Sequence, residues 1–356
     1  MILPMFLTLR PVSLLLFALL TAASQAQQPW TFAVSGDSRN CGDVVMPAIA
    51  AGVHQDHAAF YWHLGDFRAI YDFDQDYRQG ITTGPPLIKD YENRAWDDFI
   101  QNQLTPFGNT PVFLGIGNHE LIPPRTRPEF LIQFADWLDT PELKQQRLKD
   151  DPKDHRLRSY YHWQRTGIDF INLDNASPDQ FDQDQIAWFE RVLRADAADP
   201  SIATVVVGMH EALPDSIANG HSMSESPQGE ASGRRAYADL LNLQQTAHKN
   251  IYVLASHSHF FMDGVYNTGY WRTNGGVLPG WVIGTAGAAR RVLPPNVADA
   301  KAAKTNVYGY LLATVNPDHT IGFKFHEIAE TDTPAGVVTR FTPDFVHQCF
   351  IANRQN

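Results

Sequence analysis

Six side chains of metal-binding type, Asp37, Asp66, Asn118, His210, His257 and His259, follow closely on apolar runs that read as β-strands. The runs are 30–35, 58–64, 111–116, 203–208 and 251–255. They stop at Gly36-Asp37-Ser38-Arg39-Asn40, Gly65-Asp66, Gly117-Asn118-His119-Glu120, Met209-His210 and Ser256-His257-Ser258-His259. Carboxylates, an amide oxygen and imidazoles form a mixed hard and borderline donor set that suits Mn, Fe, Zn or Co. No cysteine takes part, so a structural zinc finger is not indicated. A single Asp or His is more often a hydrogen-bonded structural residue than a ligand; the repetition at strand ends carries the reading. His257 and His259 would face opposite sides of a regular strand, so they share one centre only in a turn, which Ser256 and Ser258 suit. Six ligands with a shared carboxylate, for which Asp66 is central in the strand order, would serve two ions. Two such ions can clamp a phosphate, activate a water and stabilise the leaving oxygen.

These strands alternate with helical patterns at about 43–54, 91–103, 128–138, 182–195 and 233–247, the arrangement of an α/β protein. In the fourth pattern Ile186, Phe189, Val192 and Leu193 recur at helical spacing behind a candidate N-cap, Asp182. Ligands of α/β sheets bind at the carboxyl ends of strands, where all five polar clusters fall. Runs 159–165 and 168–173 flank Thr166-Gly167 and read as a hairpin, and 260–266, 280–284, 308–315 and 320–325 read as further strands. With no internal repeat and no low-complexity linker, residues 27–356 are expected to form one domain. Stretches 67–90, 139–157 and 211–232 look irregular, either substrate-facing loops or solvated insertions.

The five blocks in this order resemble the calcineurin-like metallophosphoesterases, including the purple acid phosphatases, over residues 30–260. The resemblance implies a four-layer α-β-β-α sandwich, two mixed β-sheets flanked by helices. It implies two divalent or trivalent ions bridged by Asp66, with Asn118, His210 and His257 on one and Asp37 and His259 on the other. His119 would then stabilise the phosphoryl group or protonate the leaving alkoxide, and the substrate would be a small phosphate mono- or diester, with Asn118 also touching it. Two positions depart from the family. Many members carry histidine two residues after the first aspartate, where this chain has Arg39. Purple acid phosphatases carry tyrosine three residues after the second, where it has Ala69; Tyr71 lies two residues too far along. Arg39 could hold a phosphate oxygen, for which its donor fork is suited. Alternatively it pairs with an acid such as Asp43 while water or Asn40 fills the coordination position. A guanidinium there could also take the space of one ion, and the rival reading is a metal-binding protein that has lost catalysis.

Glu120 and Glu211, next to site residues, read as partners that orient imidazoles, or as neither ligand nor partner. His221 could touch substrate from its loop, whereas His54, His57, His63, His155, His162 and His248 read as structural or surface residues. No Gly-x-Ser-x-Gly elbow and no Gly-x-x-x-x-Gly-Lys loop occurs, which sets serine hydrolases and P-loop nucleotide enzymes aside. The net charge of −11 over 356 residues argues against a nucleic-acid partner, though bound ions can reverse the local field. Arg10, an apolar run from Val12 and Ser24-Gln25-Ala26 read as a signal peptide over 1–26, too short to span a bilayer, so an exported protein without a membrane span is expected. Export favours a disulfide between the two cysteines, Cys41 and Cys349; buried thiols, or Cys41 as a ligand, are the alternatives.

Overall fold

The computed structural model describes residues 28–81, 84–176, 180–218, 220–352 and 354; the expected signal peptide lies outside them. Twelve strands are present among these residues: β1 Trp30–Ser35, β2 Tyr61–His63, β3 Val112–Leu114, β4 Tyr161–Arg165, β5 Ile168–Asn172, β6 Thr204–Gly208, β7 Asn250–Ala255, β8 Phe261–Asp263, β9 Gly280–Ile283, β10 Ala302–Lys304, β11 Tyr308–Val315 and β12 Ile321–Ile328. They form a five-stranded sheet, β12-β11-β1-β2-β3, and a seven-stranded sheet, β10-β8-β9-β7-β6-β5-β4. Both are mixed. In the first, β1, β2 and β3 run parallel, while β11 and β12 are antiparallel. In the second, β5, β6, β7 and β9 run parallel between antiparallel edges.

Alternation along the strands divides the apolar side chains among three cores. Phe32, Val34, Trp62, Phe113 and Leu311 of the first sheet meet Trp163, Phe170, Val206, Leu254 and Ile283 of the second. Aromatic contacts cross this seam, including Phe113 stacked on Trp163 with ring centroids 3.9 Å apart. The opposite face of the first sheet, with Ala33, Tyr61 and Leu114, is covered by helices Gly42–Gln55, Ile88–Phe99 and Pro343–Ile351. The opposite face of the second, with Val205, Val207 and Val253, is covered by Gln183–Ala198 and Pro227–Ala247. This is the four-layer sandwich that the sequence resemblance implies.

Several details differ from the sequence reading. The 128–138 pattern is two helices, Arg127–Gln133 and Ala135–Leu138, interrupted at Phe134. The 233–247 helix begins at Pro227, because Ser226 caps it by accepting from the Gly229 N–H at 2.9 Å. The stretch 139–157 contains helix Pro141–Asp150, which buries only Leu143 and Gln146 and so carries little apolar period. Helix Gln75–Gly80, strand β10 and helices Ala335–Phe341 and Pro343–Ile351 were likewise not evident. The hairpin between β4 and β5 turns through Thr166 and Gly167, both at positive φ, the backbone of a tight two-residue connection. Cys41 and Cys349 form a disulfide that ties the segment after β1 to the last helix.

Candidate metal centre

The parallel strands deliver their following loops to one place. Asp37 follows β1, Asp66 follows β2, Asn118 opens a short helix after β3, His210 follows β6, and His257 and His259 follow β7. The two sheets are joined here directly: Ser256 Oγ donates to Leu64 O at 3.1 Å, and Gly36 N donates to Ile283 O at 3.0 Å. Asp37, Asp66 and His257 sit at φ near +60°, an uncommon backbone for residues with side chains. Such conformations persist where the surroundings dictate them and collect at functional sites. Gly117 is required by close approach, since a Cβ there would lie 2.3 Å from Asp66 Oδ1.

Four acceptor-capable atoms converge on the His210 side. His210 Nε2 lies 3.3 Å from Asp66 Oδ1, 3.0 Å from Asn118 Oδ1 and 3.0 Å from His257 Nδ1. His210 Nδ1 faces Leu64 O at 3.0 Å and donates its proton there, which turns Nε2 toward the other three atoms, where an ion would displace the Nε2 proton. Among the described residues, Asp66, His210 and His257 are the one group whose donor atoms of this kind all lie within 4.8 Å of one another. Gathered acceptors need a cation between them, and this set fits a borderline divalent ion. Two further carboxylate oxygens, Asp37 Oδ1 and Asp66 Oδ2, are buried without a hydrogen-bond partner.

The field of the site follows from burial and these pairings. Burial pushes the Asp37 carboxyl up, but His259 and His210 outweigh it and hold its pKa at about 2. Asp66 is likewise desolvated, yet His119, His210 and Arg39 keep it well below the usual carboxylate range. Burial opposes charge on His210, while Asp66 and then Asp37 raise its pKa to about 10. His257 is driven down by burial and then by His210.

The Asp37 side has a different composition. His259 Nε2 lies 3.2 Å from Asp37 Oδ1, and its Nδ1 donates to Ala289 O at 2.5 Å. Arg39 enters this side, with Nη2 3.0 Å from His259 Nε2 and Nε 3.8 Å from Asp66 Oδ2. Its pairing with Asp43 is not found. Asp43 pairs instead with Arg68, a fully buried cation that also meets Asp76 and Asp98. Asn40 Oδ1 accepts from Ala289 N at 3.1 Å, so that oxygen is engaged by backbone.

His119 donates from Nδ1 to Ala69 O at 2.7 Å, which turns Nε2 to within 3.7 Å of Asp66 Oδ2. Glu120 makes no hydrogen bond or ion pair to an imidazole among the described residues. It accepts from the N–H groups of Asp66, Phe67 and Gly117 at 2.8–2.9 Å, clamping the loops after β2 and β3 together. Sequence reasoning missed three neighbours. Tyr71 OH accepts from Arg39 Nη1 at 3.3 Å, and its ring lies 5.2 Å from that of His119. His63 bonds Ser38 Oγ and the Gly65 N–H. Arg291 is bonded to His221, whose ring lies 5.5 Å from that of His257. Beside them opens a cleft of about 490 Å³, lined by His221, Ser258, Phe260, Arg291, Leu293 and Pro295 among others.

No family model and no curated protein sequence matches the chain. Among solved structures it is similar to a purple acid phosphatase from yellow lupin (Lupinus luteus) seeds, at 16% identity and a TM-score of 0.59, over 85% of this chain and 52% of that one. It is similar to GAP50, described as the anchor in the inner membrane complex of Plasmodium, at 11% identity and 0.52, over 93% and 96% of the two chains. It is also similar to PhoD, at 15% and 0.51, over 90% and 76%. The chain thus spans about half the length of the lupin phosphatase. At these identities the likeness is one of fold, and the resemblance read from the five blocks is borne out at that level.

Proposed function

We propose that the protein is a metal-dependent phosphoric ester hydrolase acting on small mono- or diesters. The observation that carries this is the meeting of Asp66 Oδ1, Asn118 Oδ1, His210 Nε2 and His257 Nδ1 in one place. An ion held there would act as a Lewis acid on a phosphoryl oxygen and lower the pKa of a coordinated water. Asp37 and His259 are the ligands that a second ion would use. His119, fixed through Nδ1, offers Nε2 to the phosphoryl or leaving oxygen. Arg39, whose Nε approaches the same Asp66 oxygen as His119 Nε2, supplies guanidinium donors of a form suited to phosphate. The cleft beyond His221 and Arg291 has the size of a small-ligand site and room for the leaving group.

Residues 27–356 act as one domain in this reading, since both sheets supply the site. Export is part of the proposal. It is supported by the Cys41–Cys349 disulfide, a bond that persists in oxidising compartments. No helix among the described residues is long and apolar enough to cross a membrane.

The proposal is tested by offering para-nitrophenyl phosphate and its bis ester to metal-stripped protein resupplied with Mn, Zn, Fe or Co. Hydrolysis of either ester is expected with at least one ion, and the preferred ester separates monoesterase from diesterase. Folded protein that hydrolyses neither ester with any ion leaves the non-catalytic metal-binding reading.

A further inference from the structure

The two sides of the centre differ in what meets the histidine. His210 Nε2 is surrounded only by atoms able to accept, whereas His259 Nε2 faces a carboxylate oxygen, Asp37 Oδ1 at 3.2 Å, and in addition a donor, Arg39 Nη2, at 3.0 Å. His259 gives its Nδ1 proton to Ala289 O, so Nε2 has one lone pair, and the guanidinium takes it. An imidazole nitrogen that accepts a hydrogen bond along its lone pair cannot coordinate there as well. An ion at the usual distance of about 2.1 Å would lie in the path of the guanidinium nitrogen.

Arg39 is held in this position. Its side chain is 6% exposed, Nη1 donates to Tyr71 OH, and Nε stands 3.8 Å from Asp66 Oδ2, within ion-pair distance and beyond a direct hydrogen bond. Nε is buried and has no hydrogen-bond partner in the structure, and Nη1 and Nη2 each keep a second N–H, so donors remain for an incoming oxygen. A fixed positive charge between Asp37, His259 and Asp66 offsets the carboxylates as an ion would, without needing the ligand that the chain lacks at positions 39 and 69.

We propose that Arg39 takes the place of one of the two ions. The protein then binds a single ion per chain, at Asp66, Asn118, His210 and His257, and holds a phosphoryl group between that ion and the guanidinium. This rests on the hydrolase reading above only in taking that cluster as an ion site and phosphate as the ligand.

The test is the metal content of the full chain loaded with Mn and desalted, measured by mass spectrometry of the metal and by electron paramagnetic resonance. The wild type is expected to hold one ion per chain with the spectrum of an isolated Mn(II). Arg39→His, which removes the guanidinium and supplies an imidazole, is expected to hold two ions with an exchange-coupled spectrum. Two coupled ions in the wild type overturn the proposal and leave the hydrolase reading standing. No bound ion in folded wild type overturns both. A folded Arg39→His that still holds one ion also overturns it, because the guanidinium is then not what excludes the second. Where that variant does not fold, the wild-type count decides.

Discussion

His210 Nε2 and His257 Nδ1 stand 3.0 Å apart, two ring nitrogens brought together by loops that follow the paired parallel strands β6 and β7. The arrangement is maintained from behind by His210 Nδ1 donating to Leu64 O, just past β2 of the other sheet. Removing one member should therefore remove the ion. Residues that merely orient ligands cost about 10–100-fold in affinity or activity when changed. Asp66→Ala and His257→Ala are expected to lose more than about 100-fold in activity, together with bound metal. Retained metal at full occupancy in either variant would place the ion elsewhere.

His119 predicts a separation between chemistry and metal binding. Its ring is anchored on Ala69 O and lies 3.7 Å from Asp66 Oδ2, beside the cluster and not within it. His119→Ala is expected to lower kcat by roughly 10²–10⁴-fold, the range for a positioned acid or base, with most of the metal retained. Metal loss in proportion to activity would make His119 a ligand.

Glu120 has a structural consequence that can be read without substrate. Its carboxylate gathers three backbone N–H groups, those of Asp66, Phe67 and Gly117. Glu120→Ala leaves those donors buried and unpaired, at a cost of about 1–3 kcal/mol each where water does not replace the acceptor. A lower Tm and an ion affinity reduced by about 10–100-fold are expected. Unchanged Tm would mean that the two loops are held by other contacts.

The placement of the site was legible because the pattern is local. Each parallel strand is an apolar run that ends where a loop begins, and the five loops carry their own donors. The turn at 256–259, required for His257 and His259 to share a centre, is present with His257 at φ +62°. What stayed hidden depends on packing between distant segments. Arg68 gathers Asp43, Asp76 and Asp98, so Asp43 was not available to Arg39. Tyr71 and Arg291 reach the site from loops with no regular period, and nothing in their neighbouring residues signals it. Helix Pro141–Asp150 is polar on most of its surface, so hydrophobic periodicity was silent there.

Away from the centre, His162 predicts a pH dependence of stability. It bonds Asp169 Oδ2 at 2.7 Å and Asp150 Oδ2 at 2.5 Å. Burial disfavours its charged form, but Asp169 and Asp150 outweigh burial and raise its pKa from 6.5 to about 10. A folded pKa above the unfolded one means that the stabilisation is fully present below about pH 6.5 and is lost as pH rises through about 10. His162→Gln is expected to be less stable than wild type by a few kcal/mol, on the order of magnitude of such a shift, at pH 6. The gap should narrow steadily toward pH 10. A gap independent of pH would show that packing, and not the charged ring, carries the difference.

The Cys41–Cys349 disulfide joins residues 308 apart in sequence, and Cys41 lies two residues beyond Arg39. Cys349→Ser is expected to cost about 2–4 kcal/mol, seen as a lower Tm, and reduction of the wild type should do the same. Equal melting of oxidised and reduced protein would contradict a structural role for the bond.

The most direct measurement titrates one ion into metal-stripped wild type while ion bound and phosphate released from para-nitrophenyl phosphate or its bis ester are followed together. Activity is expected to rise in proportion to ion bound and to stop rising when the Asp66, Asn118, His210 and His257 cluster is filled, with His257→Ala remaining inactive throughout. Hydrolysis that is independent of bound ion, or its absence in folded and fully loaded protein, would contradict a metal-dependent phosphoric ester hydrolase.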